Sequence, residues 1–307
     1  MTKETMASYA NISIYSAMAV LAVAMILYAV YLAGMVPARV DARSGSPADD
    51  AATPQHARKM GGVAGTLTWL GGLLLLLAAV LRGASVNRAP LGNMHEFALV
   101  ASMFTILLFC VWSLKRDLRW LGVFVVTPVL LVLGMAITAW YTEAAELLPS
   151  LKSYWLVIHV VVATFSIALF ILGAVITVLY LLADRRQARG VPEGARPSLL
   201  DKMPNAQALE RMAYGTHIIA FPLWTFTLIA GAIWARQAWG SYWNWDPKET
   251  WTFVIWVVYA AYLHARATTT VSRRTANLVA VAGFVCIIIN YVVVNQFLVG
   301  MHSYSGL

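Results

Sequence analysis

Charged side chains are scarce in this chain of 307 residues. Only 12% of the residues are Asp, Glu, Lys or Arg, whereas 60% are hydrophobic and the mean hydropathy is +0.70. Soluble domains carry about 25% charged residues, so this chain lacks the polar side chains that a water-soluble surface needs. The shortage excludes a soluble globular enzyme and a disordered protein, and it indicates an integral membrane protein.

Cysteine is almost absent. The two cysteines, Cys110 and Cys286, lie far apart in separate apolar runs, and no C-x-x-C or zinc-type spacing occurs. This pattern excludes a disulfide-rich secreted module. We expect both thiols to be buried and inert. The chain also has no P-loop, so nucleotide hydrolysis is not indicated.

Long apolar runs dominate the remaining sequence. A membrane-spanning helix needs about 20 mostly apolar residues, and eight runs approach or exceed that length. They are 11–36, 63–82, 96–114, 120–140, 154–183, 214–236, 250–268 and 276–300. The sequence therefore predicts an all-α, polytopic integral membrane protein with about eight transmembrane helices. The first run is longer than a signal-peptide core, so we interpret it as an uncleaved helix.

Two polar segments interrupt the runs and predict flexible loops. Residues 37–62 are rich in Pro, Ser and Asp, and residues 184–212 are rich in charge, Pro and Gly. We divide the chain into an N-terminal helix with a cytoplasmic loop, 1–62, and a transmembrane bundle, 63–307.

Basic residues are concentrated in the loops after the first, third, fifth and seventh runs. By the positive-inside rule these loops are cytoplasmic, and both termini and the remaining loops are extracytoplasmic. The net charge of +8 is then a topology signal with contacts to membrane lipid, and we expect no nucleic-acid partner.

Aromatic residues crowd the loop between the sixth and seventh runs. Residues 239–251 read WGSYWNWDPKETW, with four tryptophans and one tyrosine. One interpretation is an aromatic belt at the membrane interface. Belts place one or two aromatic residues at each helix end, however, so the density favours a platform for a large flat aromatic ligand.

Three histidines relate to this loop. His159 near the start of the fifth run and His302 after the last run both belong on the loop's side of the membrane, whereas His264 lies near the opposite end of the seventh run. Two imidazoles beside an aromatic platform are typical of a bis-histidine haem site. An ionisable residue within a span, such as His264, indicates function by default.

The tryptophan-rich string resembles the signature of the WWD haem-handling proteins, and in particular the CcsA/ResC family of System II cytochrome c maturation. The resemblance is most specific over 231–264 and includes the histidines of YWLVIHV and GMHSYSGL. It implies that His159 and His302 are axial ligands of an external haem b. The residues implied for the platform are Trp239, Trp243, Trp245, Asp246 and Trp251. The residue implied for an inner haem site is His264.

The resemblance further implies a reaction and its partners. Two thiols of an apocytochrome c C-x-x-C-H motif would add to the haem vinyl groups, with no catalytic residue beyond those that position the haem. The implied partners are a ResB-type membrane subunit, apocytochrome c and a thiol-reducing thioredoxin-like protein. The composition, rich in Ala, Val and Arg, favours a bacterial plasma membrane, with a thylakoid membrane as the alternative. The alternatives are a haem exporter, a b-type electron-transfer subunit and a System I haem-handling protein.

Three further histidines carry weaker signals. The segment APLGNMHEF contains His95 where the resembled family usually has Tyr, and we expect a structural or interface role for it. For His217 we expect a snorkelling or capping role near the cytoplasmic side. We expect His56, in the loop 37–62, to be solvated.

Overall fold

The computed structural model describes residues 2–35, 55–146, 152–190 and 198–302, and every regular element in these ranges is helical. The bounds of the eight long helices are α1 (Lys3–Met35), α2 (Gln55–Val86), α3 (Met94–Ser113), α4 (Gly122–Thr138), α5 (Tyr154–Arg189), α6 (Ala206–Trp239), α7 (Pro247–Ala267) and α8 (Arg273–Ile288). A π-helical segment, Ile289–Val294, continues α8 into the short α9 (Asn295–Phe297). Two 3₁₀ turns, Arg119–Leu121 and Leu199–Lys202, precede α4 and α6.

The prediction of an all-α membrane protein is confirmed. Within the described residues, seven helices are long and apolar enough to span a membrane, namely α1 to α6 and the helix from Arg273 to Phe297. The remaining predicted run, 250–268, forms α7 but is not among them. Lys248, Glu249, His264 and Arg266 at the ends of α7 lower its hydropathy.

The helices pack mainly as sequential pairs. α1 packs along α2, α5 along α6, and α7 along α8, while α3 contacts α2, α4 and α5 and so joins the two halves of the bundle. The buried apolar side chains form one large cluster around α1 to α6 and a second one around α5 to α8. Buried apolar packing therefore runs through the whole described chain.

Side-chain caps set several helix starts. Asn93, Ser153, Asn205, Asp246 and Ser272 each accept a backbone N–H bond in the first turn of α3, α5, α6, α7 and α8, respectively. Such caps satisfy amide groups that have no partner within the helix. These caps therefore fix where each of the five helices begins.

The helices extend beyond several predicted bounds. Residues 55–62, expected in the loop 37–62, form the first turns of α2, and most of that loop lies outside the described residues. The predicted loop 184–212 is also shorter, because α5 continues to Arg189 and α6 begins at Ala206. Polar and charged residues continue these helices past the apolar runs, which sequence hydropathy does not detect.

The predicted role of His217 was wrong. Its side chain is fully buried within the bundle, where Nε2 lies 3.1 Å from Oγ1 of Thr177. The rings of Phe170, Tyr259 and Tyr262 surround it. A residue in this position neither caps a helix nor reaches the membrane surface.

Candidate functional site

One pocket collects most of the residues that the sequence singled out. It lies at the end of the bundle where α3, α5 and α7 begin and α6 ends, beside the π-helical segment after α8. We call it the aromatic pocket and define it by its lining residues His159, Trp234, Trp239, Trp243 and His302. The two predicted histidines therefore share one pocket with part of the tryptophan-rich loop.

The tryptophan-rich loop is held by hydrogen bonds at both ends. α6 stops at Gly240, whose φ of +80° is a left-handed conformation that glycine adopts without strain. α7 starts with Asp246 and Glu249 in a reciprocal capping box. Glu249 Oε2 also accepts the backbone N–H of Asn244 at 2.8 Å. The short segment between these points is therefore fixed to the start of α7.

His159 is oriented by the backbone of α6. Its Nδ1 lies 2.9 Å from the carbonyl oxygen of Thr227. A carbonyl can only accept, so Nδ1 carries the proton and Nε2 is left with a lone pair. A Cβ added to Gly231 would lie 2.8 Å from Cε1 of His159, so the ring fits only because residue 231 is glycine.

His302 is oriented by a carboxylate. Its Nδ1 lies 2.8 Å from Oδ2 of Asp246. Asp246 also accepts the backbone N–H groups of Met301 and Lys248. Burial acts to raise the pKa of Asp246, but His302 and these two amides outweigh it, and the pKa lies below its usual 3.8. The carboxylate is therefore charged at neutral pH.

The ring of Trp234 contacts the rings of both histidines. Its ring centroid is 6.0 Å from that of His159, in a stacked arrangement, and 6.0 Å from that of His302. Trp239 contacts His302 at 4.9 Å between ring centroids and Trp234 at 5.0 Å. An aromatic wall thus connects the two imidazoles.

The structure separates the remaining predicted site residues from this wall. Trp243 lines the pocket, but Trp245 is 73% exposed and reaches it only through an edge contact with Trp243. Trp251 does not line the aromatic pocket, and Asp246 acts from behind His302. His264 is exposed in the last turn of α7, about 26 Å along the helix from Pro247.

Sequence reasoning missed several lining residues of the pocket. Trp234 and Trp224 lie within the apolar run of α6, where a tryptophan is easily taken for a lipid-facing side chain. Asn290 was also missed, whereas Lys248, which donates from Nζ to the carbonyl oxygen of Asn290 at 2.9 Å, was expected from the sequence to pair with an anionic group. Asn290 belongs to the π-helical segment, and such segments are frequent at functional sites.

A buried ionic network supports the wall of the pocket at the start of α3. Glu96 is fully buried and pairs with Arg82 at 2.9 Å and with Arg88 at 2.7 Å. Its carboxylate also accepts the backbone N–H of Gly92, and Gly92 lines the pocket. Both arginines donate to backbone carbonyls in the segment after α4, at Thr142 and Ala145.

The other histidines and the cysteines lie apart from the pocket. His95 is fully buried, with Nδ1 2.8 Å from the carbonyl oxygen of Ala136, which agrees with a structural role. His56 is exposed, although on a helix and not in a loop. Cys110 is buried, but Cys286 is only half-buried, contrary to expectation. No cluster of three or more His, Cys, Asp or Glu able to hold a metal ion occurs within the described ranges.

The sequence matches the model of the family described as cytochrome C assembly protein over residues 91–302. That span starts at the pocket wall beside Gly92 and ends at His302. The match covers more than half of the chain, including every residue that defines the aromatic pocket.

Curated relatives are named as cytochrome c biogenesis proteins. The cytochrome c biogenesis protein CcsA of Guillardia theta is 35% identical over 242 residues, which cover 71% of this chain and 77% of that protein. CcsA of Parasynechococcus marenigrum is 33% identical over 273 residues, covering 80% of this chain and 87% of that protein.

A solved structure shares the fold. The structure named cytochrome c heme lyase CcmF superimposes with a TM-score of 0.60 at 17% sequence identity, covering 95% of this chain. The chain spans about half of the length of that structure, 47%. At this identity the likeness concerns the fold alone.

Proposed function

Since this chain belongs to the cytochrome c assembly protein family and acts in cytochrome c biogenesis, we propose that its aromatic pocket binds haem b and positions it for covalent attachment to apocytochrome c. The observation that carries the proposal is the placement of His159 and His302. Both lie against Trp234 in one pocket, and each has its Nδ1 engaged by a protein oxygen.

The donor set fits a haem. An imidazole whose Nδ1–H is held by a carbonyl or carboxylate offers Nε2 to a metal in a fixed orientation. Trp234, Trp239 and Trp243 supply aromatic surface for a flat macrocycle. Lys248 also lines the pocket, and its protonated form is suited to a haem propionate. His159 and His302 are thus the proposed axial ligands.

The reaction is an addition without net redox change. Each thiol of the C-x-x-C-H motif forms a carbon–sulfur bond to one vinyl carbon, and the thiol proton is transferred to the other vinyl carbon. The porphyrin supplies the reactive groups. The chain's residues hold the ring, exclude water and bring the vinyl groups near the thiols, which converts an encounter of two molecules into a reaction within one complex.

The two axial ligands are chemically unequal, and this predicts which of them the apocytochrome replaces. His302 is bonded to an anionic carboxylate, which raises the basicity of the imidazole as a ligand. His159 is bonded to a neutral carbonyl. We therefore assign His159 as the ligand that the histidine of the C-x-x-C-H motif displaces, while His302 keeps the haem on the protein.

A second haem position at His264 is part of the proposal. Its side chain is exposed at the opposite end of α7 from the aromatic pocket. An exposed imidazole in this position can share a haem with a second protein, and a ResB-type subunit would supply the opposite ligand. Two haem positions at the two ends of one helix also support haem export as a second function of the chain.

The proposed setting is a bacterial plasma membrane. The excess of Lys and Arg in alternate loops supports an extracytoplasmic tryptophan-rich loop, so that the aromatic pocket faces the compartment where cytochromes c mature. A thioredoxin-like protein would keep the apocytochrome thiols reduced there, because a disulfide cannot add to a vinyl group.

An absorbance spectrum tests the haem site. The chain is co-expressed with its partner subunit and purified as wild type, His159→Ala, His302→Ala and the control His56→Ala, whose histidine is exposed and remote. We expect sharp ferrous b-type bands that weaken in His159→Ala and His302→Ala and persist in His56→Ala. Unchanged haem content in both pocket variants would refute the site.

A further inference from the structure

A second cavity lies at the other end of the bundle from the aromatic pocket. It is a groove of about 620 Å³ between the end of α3, the middle of α5 and the first half of α6. Its walls are mostly apolar, with Leu108, Val111, Leu169, Leu172 and Ile219 among them. None of its residues lines the aromatic pocket, so the two cavities are separate.

The rim of this groove is basic. Lys115, Arg116 and Arg211 line it, all three are exposed, and its lining contains no acidic residue. The ion pairs of the described residues at this end of the bundle are Arg119–Asp117, Arg186–Asp201 and Arg266–Glu210, and they involve none of the three. Three cations therefore face one cavity without a neutralising carboxylate from its walls.

The depth of the groove matches one leaflet of a membrane. Ile219 at the apolar end lies eight positions after Arg211 at the rim, which is about 12 Å at the helical rise. Half of a bilayer's hydrocarbon core is about 15 Å. The floor is open at Gly215, where an added Cβ would meet nothing within 4 Å.

We propose that this basic groove binds an anionic phospholipid, with the phosphate between Lys115, Arg116 and Arg211 and an acyl chain along the apolar walls. Basic pockets between transmembrane helices are suited to acidic headgroups. Among the described residues no ion pair joins α3 to α6, so the lipid phosphate would link these two helices. The site is independent of the haem chemistry.

A porphyrin shares the acidic and apolar character of such a lipid but fits the groove less well. The lining residues include no histidine or cysteine, and Met212 offers only a thioether. A haem iron would therefore lack the nitrogen ligands that the aromatic pocket provides. A long, narrow acyl chain also follows a groove between α3, α5 and α6 better than a square macrocycle does.

Lipid-dependent stability tests the proposal. The full chain is purified in a neutral detergent, stripped of lipid, and its unfolding temperature is measured with added phosphatidylglycerol or with phosphatidylcholine of the same acyl chains. We expect phosphatidylglycerol at saturation to raise the unfolding temperature by about 5 °C more than phosphatidylcholine does. Native mass spectrometry of the same samples counts the lipids that remain bound.

Matched variants separate this groove from general attraction to a basic surface. Arg211→Gln should weaken phosphatidylglycerol binding about fivefold, and Gly215→Leu should block it by filling the floor without changing the charge. Arg274→Gln, which removes an exposed cation of α8 outside the groove, should bind as wild type does. Equal effects of the two lipids, or equal losses in Arg211→Gln and Arg274→Gln, would overturn the proposal. Haemin binding to wild type that Arg211→Gln and Gly215→Leu abolish would overturn it in favour of a porphyrin site.

Discussion

Oδ2 of Asp246 lies 2.8 Å from Nδ1 of His302, although 56 positions of sequence separate the two residues. The same carboxylate accepts the backbone N–H of Lys248 and so caps α7. It also accepts the backbone N–H of Met301. One side chain therefore ties the tryptophan-rich loop, the start of α7 and the segment that carries His302 into a single unit.

Asp246→Asn tests whether the charge of this carboxylate matters beyond its geometry. Asn caps helices as well as Asp does and its oxygen can still accept from His302, but the anionic partner is lost and its amide nitrogen replaces the acceptor of the Met301 N–H. We expect the fold to persist and haem affinity or cytochrome maturation to fall about 10- to 100-fold, as is typical when such a partner of a ligand is changed. The reduction potential of the bound haem should rise, because a less basic imidazole stabilises ferric iron less.

A charge change elsewhere serves as the control for that variant. Asp117→Asn removes an exposed carboxylate that pairs with Arg119 at the opposite end of the bundle, and it should leave haem affinity and potential unchanged. If Asp246→Asn matches the wild type in haem content and potential, the carboxylate orients the loop only and does not tune His302.

The pH dependence of stability follows from the lowered pKa of Asp246. A carboxyl whose pKa is lower in the folded than in the unfolded protein stabilises the fold above its usual value of 3.8. That contribution is lost as the pH falls from there through the lowered folded pKa. We expect the difference in unfolding free energy between wild type and Asp246→Asn to shrink as the pH falls below about 3.8.

Urea unfolding of both proteins in detergent at several pH values measures this difference. If the difference in unfolding free energy vanishes between pH 7 and pH 5, a group other than Asp246 determines that difference. A difference that widens below pH 3.8 would contradict the direction of the pKa shift itself.

Gly231→Ala should displace His159 without unfolding the protein. The added methyl group would lie 2.8 Å from Cε1 and 3.0 Å from Nδ1 of His159, so the ring must shift away from the carbonyl of Thr227. We expect the b-type absorbance of the purified complex to fall severalfold. Gly134→Ala in α4 is the matched control, because an added Cβ there meets nothing within 4 Å.

We do not expect the control Gly134→Ala to destabilise the protein. Alanine is favoured over glycine in a helix by about 1 kcal/mol, so Gly134→Ala should unfold at the wild-type temperature or above and retain its haem. Equal haem content in the two variants would mean that the position of the His159 ring does not depend on residue 231.

The helices and the tryptophan-rich loop could be predicted from sequence because hydropathy and aromatic density are local signals. The pairing of His302 with Asp246 could not, since it depends on how α7 and the segment after α9 meet. Trp234 was missed for a related reason. Within an apolar helix, sequence alone does not distinguish a tryptophan that lines a pocket from one that faces lipid.

His217 illustrates a different limit. Its distance from the end of an apolar run predicted a position near the membrane surface, yet α6 begins at Ala206, well before the run 214–236. The added turns place His217 inside the bundle, beside Gly173, where a Cβ would lie 2.5 Å from its ring. Helix bounds that depend on polar residues therefore decide the depth of a side chain, and hydropathy alone misplaces it.

Glu96→Gln should destabilise the protein strongly. Glu96 is fully buried and neutralises Arg82 and Arg88, which also hold the segment after α4 through Thr142 and Ala145. Removing one charge from a buried ionic network leaves its partners uncompensated and costs about 3–5 kcal/mol. We expect a lower unfolding temperature in detergent and, because Gly92 loses its carboxylate acceptor, a weakened haem pocket.

Glu146→Gln provides the contrast within the same region. Its carboxylate pairs with Lys152 on the surface, with both side chains more than half exposed, and exposed pairs contribute little to stability. This variant should unfold as the wild type does. If both substitutions lower the unfolding temperature equally, the effect is one of net charge, and if neither does, water or lipid has replaced Glu96 as the partner of the two arginines.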